Sequence, residues 1–247
     1  MNYHNKTVLI TGASPDFGQT LAIQFAKAQA NLILTARTQA KAEQTAALVH
    51  RVSPHCQIQC YPLDITQPEQ IAALTSQLRE QRTTIDLLIN NASYWPPKSF
   101  LGSDDLDILQ TMNSTATGSM LLTKHLLPLI EKSDAADIVF INSTASLPND
   151  GHPTSNDAFS AAKAAQSTFA DRLRTRLRVK GIRVIAIYPN DFDNPSPLNE
   201  ADWHELREAS APRNMTARNV FNALRFALEQ DRKCSVDKII LNNNAAG

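Results

Sequence analysis

The first chemical feature of the sequence is a glycine-containing turn near its start. Val8 to Gly18 has the pattern of an apolar strand that ends, a turn and the opening of a helix. Glycine lets the backbone turn tightly and approach a ligand closely, and free amides at a helix start point towards an anion. This order is typical of a site for the pyrophosphate of a dinucleotide. We predict nucleotide contacts at Gly12, Ser14, Phe17 and Gly18.

Asp16 lies in the same turn and argues against that prediction. A carboxylate is repelled by a pyrophosphate, and it can cap the helix by accepting hydrogen bonds from the amides that a ligand would use. Asp16 therefore weakens the expectation of nucleotide binding.

The end of the second apolar run bears on the choice of nucleotide. Proteins that prefer NAD carry an acidic residue there for the ribose hydroxyls, whereas this chain reads Thr35-Ala36-Arg37. An arginine suits the 2′-phosphate of NADPH, so we predict that NADPH is preferred to NADH. A surface arginine at a strand end is the alternative.

Regular alternation of strand and helix patterns positions these residues. Runs rich in Val, Ile and Leu predict strands at Thr7 to Ile10, Leu32 to Thr35, Ile58 to Tyr61, Leu87 to Ile89, Ile138 to Ile141 and Val184 to Ile187, with a last edge strand at Lys238 to Leu241. Helical spacing of apolar residues separates them, as in Gln19 to Ala28, Ala40 to Val52, Glu69 to Arg82 and Ala158 to Leu177. We predict an α/β fold: one Rossmann-like domain over residues 1–247, a doubly wound parallel sheet of about seven strands with helices on both faces.

The segment 190–212 interrupts this pattern, because it is rich in Pro, Asn and Asp with one short helical pattern around Trp203. Irregular segments of this length are usually lids or binding loops. We predict a substrate-binding lid, and a disordered loop is the alternative.

The composition excludes several classes of function. Lys plus Arg and Asp plus Glu balance at 24 each, so there is no electrostatic footprint for nucleic acid or an anionic membrane. No apolar run is long enough for a bilayer, and the start has no secretory pattern. The six histidines lack metal-ligand spacing. We expect a cytoplasmic protein with a small-molecule substrate and without a metal.

From Lys6 to about Leu241 the chain resembles the short-chain dehydrogenase/reductase family. The family's turn, Thr-Gly-x-x-x-Gly-x-Gly, matches Thr11, Gly12 and Gly18, with Asp16 at the middle glycine. Asn90-Asn91-Ala92-Ser93 resembles the family's Asn-Asn-Ala-Gly motif, and Tyr188-Pro189-Asn190 stands where the family usually has Pro-Gly. Asp64-Ile65 resembles its adenine-contacting pair, although an aspartate capping the next helix is an equal reading. The resemblance implies cofactor contacts at Asp64, Ile65, Asn91, Ala92, Lys163 and Pro189.

The family's chemistry uses a serine, a tyrosine and a lysine, joined by an asparagine. The tyrosine donates a proton to the oxygen that gains charge, the serine hydrogen-bonds that oxygen, and the lysine lowers the tyrosine pKa and holds the ribose. The resemblance assigns the serine to Ser143 and the lysine to Lys163, and it puts Phe159 at the position of the tyrosine. Counting forward from Leu106-Asp107 places the family's asparagine at Asn113. Counting back from Gly118 and Pro128 places it at Thr115, as if the helix held two extra residues.

Two functions follow from this altered site. The first is an NADPH-dependent reductase in which Ser143 polarises an activated or conjugated acceptor and Lys163 fixes the ribose. The second is a catalytically silent nucleotide-binding or regulatory protein. The candidates for a substitute proton donor are Tyr94, His152, Asp157 and Tyr188, and none has the right spacing by itself. Tyr94 and Trp95 are alternatively pocket-wall or surface aromatics, and His152 is alternatively a solvated turn histidine. The resemblance also implies a homodimer or homotetramer built on Leu106 to Glu131 and Ala158 to Arg178.

Overall fold

The computed structural model describes residues 2–97, 99–148, 156–204 and 215–243. Its strands are β1 (Thr7–Thr11), β2 (Asn31–Ala36), β3 (Ile58–Pro62), β4 (Leu87–Asn90), β5 (Asp137–Ile141), β6 (Arg183–Pro189), β7 (Phe192–Asp193), β8 (Met215–Thr216) and β9 (Lys238–Leu241). Seven of them form one parallel sheet in the order β3-β2-β1-β4-β5-β6-β9, and β7 pairs with β8 separately. The predicted strands are confirmed, including the edge strand Lys238–Leu241.

Helices connect the strands within the described residues. They are α1 (Phe17–Lys27), α2 (Gln39–Val52), α3 (Pro68–Glu80), α4 (Asp105–Met112), α5 (Gly118–Ile130), α6 (Asp157–Leu177), α7 (Glu200–Trp203) and α8 (Ala217–Glu229). Local sequence sets several of their starts: the Thr38 side chain accepts a bond from the Lys41 amide at the start of α2, and Pro68 occupies the first turn of α3.

The predicted long helix over Leu106 to Glu131 is not one regular α-helix. A π-helical turn, Asn113–Thr117, joins α4 to α5. Such a turn carries more residues than an α-helical turn, and it is often found at functional sites. It explains why the two ways of counting along this helix select different residues.

Hydrophobic cores lie on both faces of the sheet, as the apolar strand pattern predicts. On β1, Val8 and Ile10 face a cluster that includes Leu21 of α1 and Val220 of α8. Leu9, between them, faces a second cluster with residues of α3, α5 and α6. Because successive strand residues point to opposite faces, this division shows that helices cover the sheet on both sides. The fold is therefore a single-domain, Rossmann-like doubly wound sheet.

The described part of the segment after β6 packs against the core. Trp203 is buried, and Leu198 packs against the same cluster as α1 and α8. The remainder of the predicted lid, residues 205–212, lies outside the described residues. None of the helices within the described ranges combines the length and apolarity that a bilayer crossing needs.

Candidate active site

A cavity of about 480 Å³ opens at the carboxyl ends of the central strands. The strand order reverses between β1 and β4, and ligands of open α/β sheets bind at this kind of switch point. Most residues predicted for the site line the cavity: Gly12, Ser14, Phe17, Gly18, Arg37, Asp64, Ile65, Asn91, Ala92, Ser143, Phe159, Lys163 and Pro189.

Close backbone packing explains the two glycines of the first turn. Gly12 has a φ of +65°, and a Cβ there would lie 3.0 Å from the Cα of Ala92. A Cβ on Gly18 would lie 2.0 Å from the carbonyl oxygen of Gly12. Both positions therefore exclude side chains, and α1 starts in direct contact with the turn.

The segment after β4 supports the same turn. The Asn91 side-chain amide donates to the carbonyl oxygens of Thr11 and Gly12, at 3.0 and 3.3 Å. The Thr11 hydroxyl accepts from the amides of Asn91 and Ala92 at 3.0 and 2.9 Å. These bonds join the ends of β1 and β4, so the Asn-Asn-Ala segment has a structural role in this site.

Asp16 is the N-cap residue of α1, but its side chain does not cap the helix, contrary to one expectation. Its side chain accepts no bond from the helix amides, and its backbone has a φ of 133°, a region that favours glycine. The carboxylate instead accepts from the side-chain amide of Asn194 at 3.2 Å, and the Thr20 hydroxyl donates to Asn194 at 2.9 Å. The exposed carboxylate is thus hydrogen-bonded to the segment after β6 and accepts no bond from the amides of Phe17 and Gly18, the first two residues of α1. The next amide, that of Gln19, donates to the backbone carbonyl oxygen of Asp16 at 3.0 Å.

Two further predicted contacts line the cavity farther from the turn. Arg37 is exposed immediately after β2. Asp64 accepts from the amide and hydroxyl of Thr66, at 3.0 and 2.7 Å. The alternative that Asp64 caps α3 is wrong, because the N-cap residue of α3 is Gln67.

Ser143 and Lys163 meet at the cavity from different elements. Ser143 follows β5, and its Oγ accepts from the Ala145 amide at 3.2 Å. Lys163 is 3% exposed, and its Nζ donates to the carbonyl oxygen of Ile141 at 2.7 Å. Burial lowers the pKa of Lys163 from its ordinary 10.5 to about 7, because a desolvated ammonium is disfavoured.

Phe159 lies one helical turn before Lys163, beneath an aromatic cover. Its ring centroid is 5.6 Å from Lys163 Nζ and 4.5 Å from the centroid of the Trp95 ring, which is tilted by 59°. Trp95 remains half exposed, whereas Phe159 is buried. The cavity wall is therefore aromatic at the position where the sequence comparison with the family expects a phenol.

The structure does not bring Asn113 to the cavity. Asn113 is exposed, and Thr115 is fully buried with its hydroxyl 2.9 Å from that of Ser93. Ser114, between them, lines the cavity. The sequence missed Ser114 because the π-helical turn changes which residue of this helix faces inward.

The substitute donors are placed unfavourably. The Tyr94 hydroxyl donates to Asp107 at 2.8 Å, and this bond raises the pKa of the phenol. Tyr188 is fully buried with its hydroxyl against Ser167, and Asp157 is exposed away from the cavity lining. His152 lies outside the described residues. Within the ranges the structure describes, no group of acidic, histidine or cysteine side chains is arranged to hold a metal ion.

Comparisons with known proteins agree with this arrangement. A family model described as short chain dehydrogenase matches residues 6–205. The sulfoacetaldehyde reductase of Chromohalobacter salexigens is 32% identical over 213 residues, covering 85% of this chain and 81% of that protein. A dehydrogenase/reductase SDR family protein 7-like from Drosophila melanogaster is 32% identical over 200 residues, covering 78% of this chain and 59% of that protein.

The structural similarity extends over the whole fold. A short-chain dehydrogenase from Sphingobium yanoikuyae, solved in complex with NADPH, is 26% identical with a TM-score of 0.76, covering 95% of this chain and 87% of that one. In contrast, this chain spans only 59% to 62% of the length of three of its curated relatives.

Proposed function

The chain belongs to the short-chain dehydrogenase family, and from that premise we propose that it is an NADPH-dependent reductase of a small organic molecule. The observation that carries the proposal is the single cavity that Gly12, Arg37, Ser143 and Lys163 line together. The Sphingobium relative, whose structure contains NADPH, supports the choice of nucleotide.

The residues of the cavity fit a dinucleotide. The two glycines keep the turn free of side chains, and the Asp16 side chain accepts no bond from the amides of Phe17 and Gly18 at the start of α1. Arg37 supplies a positive charge for the 2′-phosphate at the end of β2. The exposed carboxylate of Asp16 is the one feature of this turn that opposes an anion, so we expect binding weaker than a glycine would give.

The nicotinamide cofactor, when bound, supplies a hydride to the acceptor. Ser143 is proposed to donate a hydrogen bond from its hydroxyl to the acceptor oxygen on which negative charge develops. Because the charge is larger in the transition state than in the bound acceptor, this hydrogen bond stabilises the transition state more and lowers the barrier. Lys163 is proposed to hold the ribose, because one of its three N–H groups is committed to Ile141 and two remain. Phe159 and Trp95 form an apolar wall that excludes water from the acceptor.

The second candidate is a silent nucleotide-binding or regulatory protein on the same fold. Asp16 favours it, since its exposed carboxylate repels a pyrophosphate. Phe159 also favours a silent protein, because phenylalanine has no hydroxyl at the position where the family's tyrosine donates a proton. Lys163 argues against it, since a buried ammonium is costly to keep without a use.

Homo-oligomeric assembly and a cytoplasmic location remain parts of the proposal. Leu101, Leu106 and Leu109 are 95%, 77% and 55% exposed around α4, and neighbouring exposed apolar residues are typical of an interface. Light scattering on the purified protein tests the assembly.

The test of the proposed function is a titration with NADPH and NADH, followed through quenching of Trp95 fluorescence with a Trp95→Phe control. Micromolar binding with NADPH preferred supports the proposal. Absence of binding of either nucleotide at millimolar concentration overturns it. Phe159→Tyr then separates the two candidates: a gain of activity on simple ketones shows that the remaining site is assembled for catalysis.

A further inference from the structure

Lys163 is a buried ammonium group that has no carboxylate partner in the part of the chain that the structure describes. Its Nζ has a hydrogen bond to the neutral carbonyl oxygen of Ile141, and among the described residues it takes part in no ion pair. Burial lowers its pKa to about 7. At neutral pH the group is therefore present in both protonated and neutral forms, which is the condition for efficient general acid catalysis.

The other donors at the cavity are less suited to that task. The Tyr94 phenol is bound to Asp107, which raises its pKa further from neutrality. Ser143 is an alcohol, and its oxygen already accepts from the Ala145 amide. Neither group gives up a proton readily near pH 7.

We propose that Lys163 is the proton donor of the reduction, acting directly on the acceptor rather than through a phenol at position 159. The geometry that carries the proposal is that Lys163, Ser143 and Phe159 line the same cavity, with Lys163 Nζ 5.6 Å from the centroid of the Phe159 ring. Phenylalanine puts no hydroxyl between the ammonium and the cavity. The inference rests on the proposed function, because it supplies the proton for that reaction.

The step balances with NADPH as the reductant. The acceptor carbon gains a hydride, forming a C–H bond, and the π-electron pair of the carbonyl or conjugated carbonyl moves to its oxygen. That oxygen takes a proton as an N–H bond of the Lys163 ammonium breaks, and the lysine is left as a neutral amine. The acceptor is reduced and the nicotinamide is oxidised. Solvent returns the proton to Lys163 after product leaves.

Other titratable and charged groups lie in the cavity lining or on the elements that pack on α6. The cavity lining and the elements packed on α6 contribute these titratable or charged side chains: Asp16, Arg37, Lys41, Asp64, Tyr94, Asp107, Asp157, Tyr188 and Asp191. Burial, and none of these charges, is the cause of the lowered pKa of Lys163. The protonation of Lys163 is therefore expected to follow its burial and to be only weakly sensitive to salt.

The first test needs no turnover. Protein labelled with ¹³C-lysine is titrated by NMR from pH 5 to 11, without nucleotide and with NADP⁺, and the Lys163 Cε signal is identified by its loss in Lys163→Arg. A midpoint near 7 supports the proposal, and a midpoint above 9 in both states overturns it.

The second test separates proton donation from ribose binding. Lys163→Arg keeps N–H donors but not an acid of suitable strength, because arginine stays protonated. With NADPH and the probe acceptors cyclohexenone and phenanthrenequinone, we expect kcat to fall roughly 100-fold or more while the Kd for NADPH changes by less than about threefold. Equal losses in both quantities, or an unchanged kcat, would make Lys163 a ribose-binding residue only.

The pH profile keeps the proposal falsifiable if arginine does not fit the buried site. Wild-type kcat should fall about tenfold per pH unit above pH 7, and in Phe159→Tyr the fall should move to higher pH because a phenol takes over. A flat wild-type profile from pH 6 to 9 contradicts the proposal. If NADPH binds but no probe is reduced, the proposed reductase function fails and this inference fails with it. A Lys163 midpoint near 7 would then identify a silent protein with an assembled site.

Discussion

Replacing Lys163 by methionine should make the protein more stable at neutral pH, in a manner that depends on pH. The unfolded chain binds a proton at this lysine below pH 10.5, whereas the folded protein binds it only below about 7. Between these values the unfolded state holds the extra proton, so wild-type stability falls as pH falls. Each unit of pKa difference corresponds to about 1.4 kcal/mol, so the lowered pKa of Lys163 reduces the stability of the folded protein by roughly 4 to 5 kcal/mol below pH 7.

Methionine removes that cost but also a hydrogen bond. The bond from Lys163 Nζ to the Ile141 carbonyl oxygen is lost, at about 1 kcal/mol. We therefore expect Lys163→Met to be more stable than wild type by roughly 3 to 4 kcal/mol at pH 6.5. The two proteins should approach equal stability near pH 9.5, and the variant should be slightly less stable above it.

Urea unfolding at pH 6.5, 8.0 and 9.5, followed by the fluorescence of buried Trp203, measures the difference. Lys124→Met on the exposed face of α5 is the matched control for the loss of a lysine. A difference between Lys163→Met and wild type that stays within about 0.5 kcal/mol across this range would refute the reasoning, because the linkage predicts a change of about 3 kcal/mol. Burial would then not have lowered the pKa of Lys163.

Three further predictions concern the nucleotide end of the cavity. Asp16→Gly should raise the free energy of unfolding by about 1 to 2 kcal/mol, because glycine relieves the backbone strain at φ 133°. The same variant should bind NADPH about tenfold more tightly, because it removes the carboxylate. Asp16→Asn should also bind NADPH more tightly but should not raise the melting temperature. If neither variant binds NADPH more tightly in fluorescence titrations, the carboxylate does not face the pyrophosphate. Arg37→Gln should weaken NADPH binding by about 10- to 100-fold and leave NADH unchanged, and an equal loss for both nucleotides would exclude a contact with the 2′-phosphate. Gly18→Ala should lower the free energy of unfolding by more than about 3 kcal/mol, because its Cβ would lie 2.0 Å from a backbone oxygen. Gly181→Ala, at φ +70° with open space around it, should lower it by only about 1 to 2 kcal/mol. Similar costs at both glycines would contradict the close approach of α1 to the turn.

Much of the fold follows from the sequence because it depends on local, repeated signals. Runs such as Ile138 to Ile141 are apolar on both faces and short, which is typical of buried parallel strands. The glycine turn is equally local, since the strand before it and the helix after it are adjacent in the chain. These features predict the cavity at the end of the sheet and the residues of the glycine turn that line it.

Residues of the site that depend on helix geometry are harder to predict. Counting along a regular helix selects Asn113, but the π-helical turn Asn113–Thr117 changes the period by which side chains face inward. Ser114 lines the cavity instead. A polar run such as Asn-Ser-Thr-Ala-Thr gives no apolar spacing from which that change could be detected.

Long-range contacts and protonation states are also not contained in a motif. The sequence suggests that Asp16 caps α1, because aspartate is common at helix starts. In the structure its carboxylate is bound by Asn194, 178 residues away in the chain, and it accepts no bond from the amides of α1. Spacing likewise places Lys163 one turn after Phe159, yet the lowered pKa of its ammonium comes from burial under neighbouring elements. A phenylalanine where the family resemblance expects a phenol therefore has two chemical meanings. Beside an ordinary lysine it would leave the site without this acid, and beside a lysine with a pKa of about 7, as we propose for Lys163, an acid would remain.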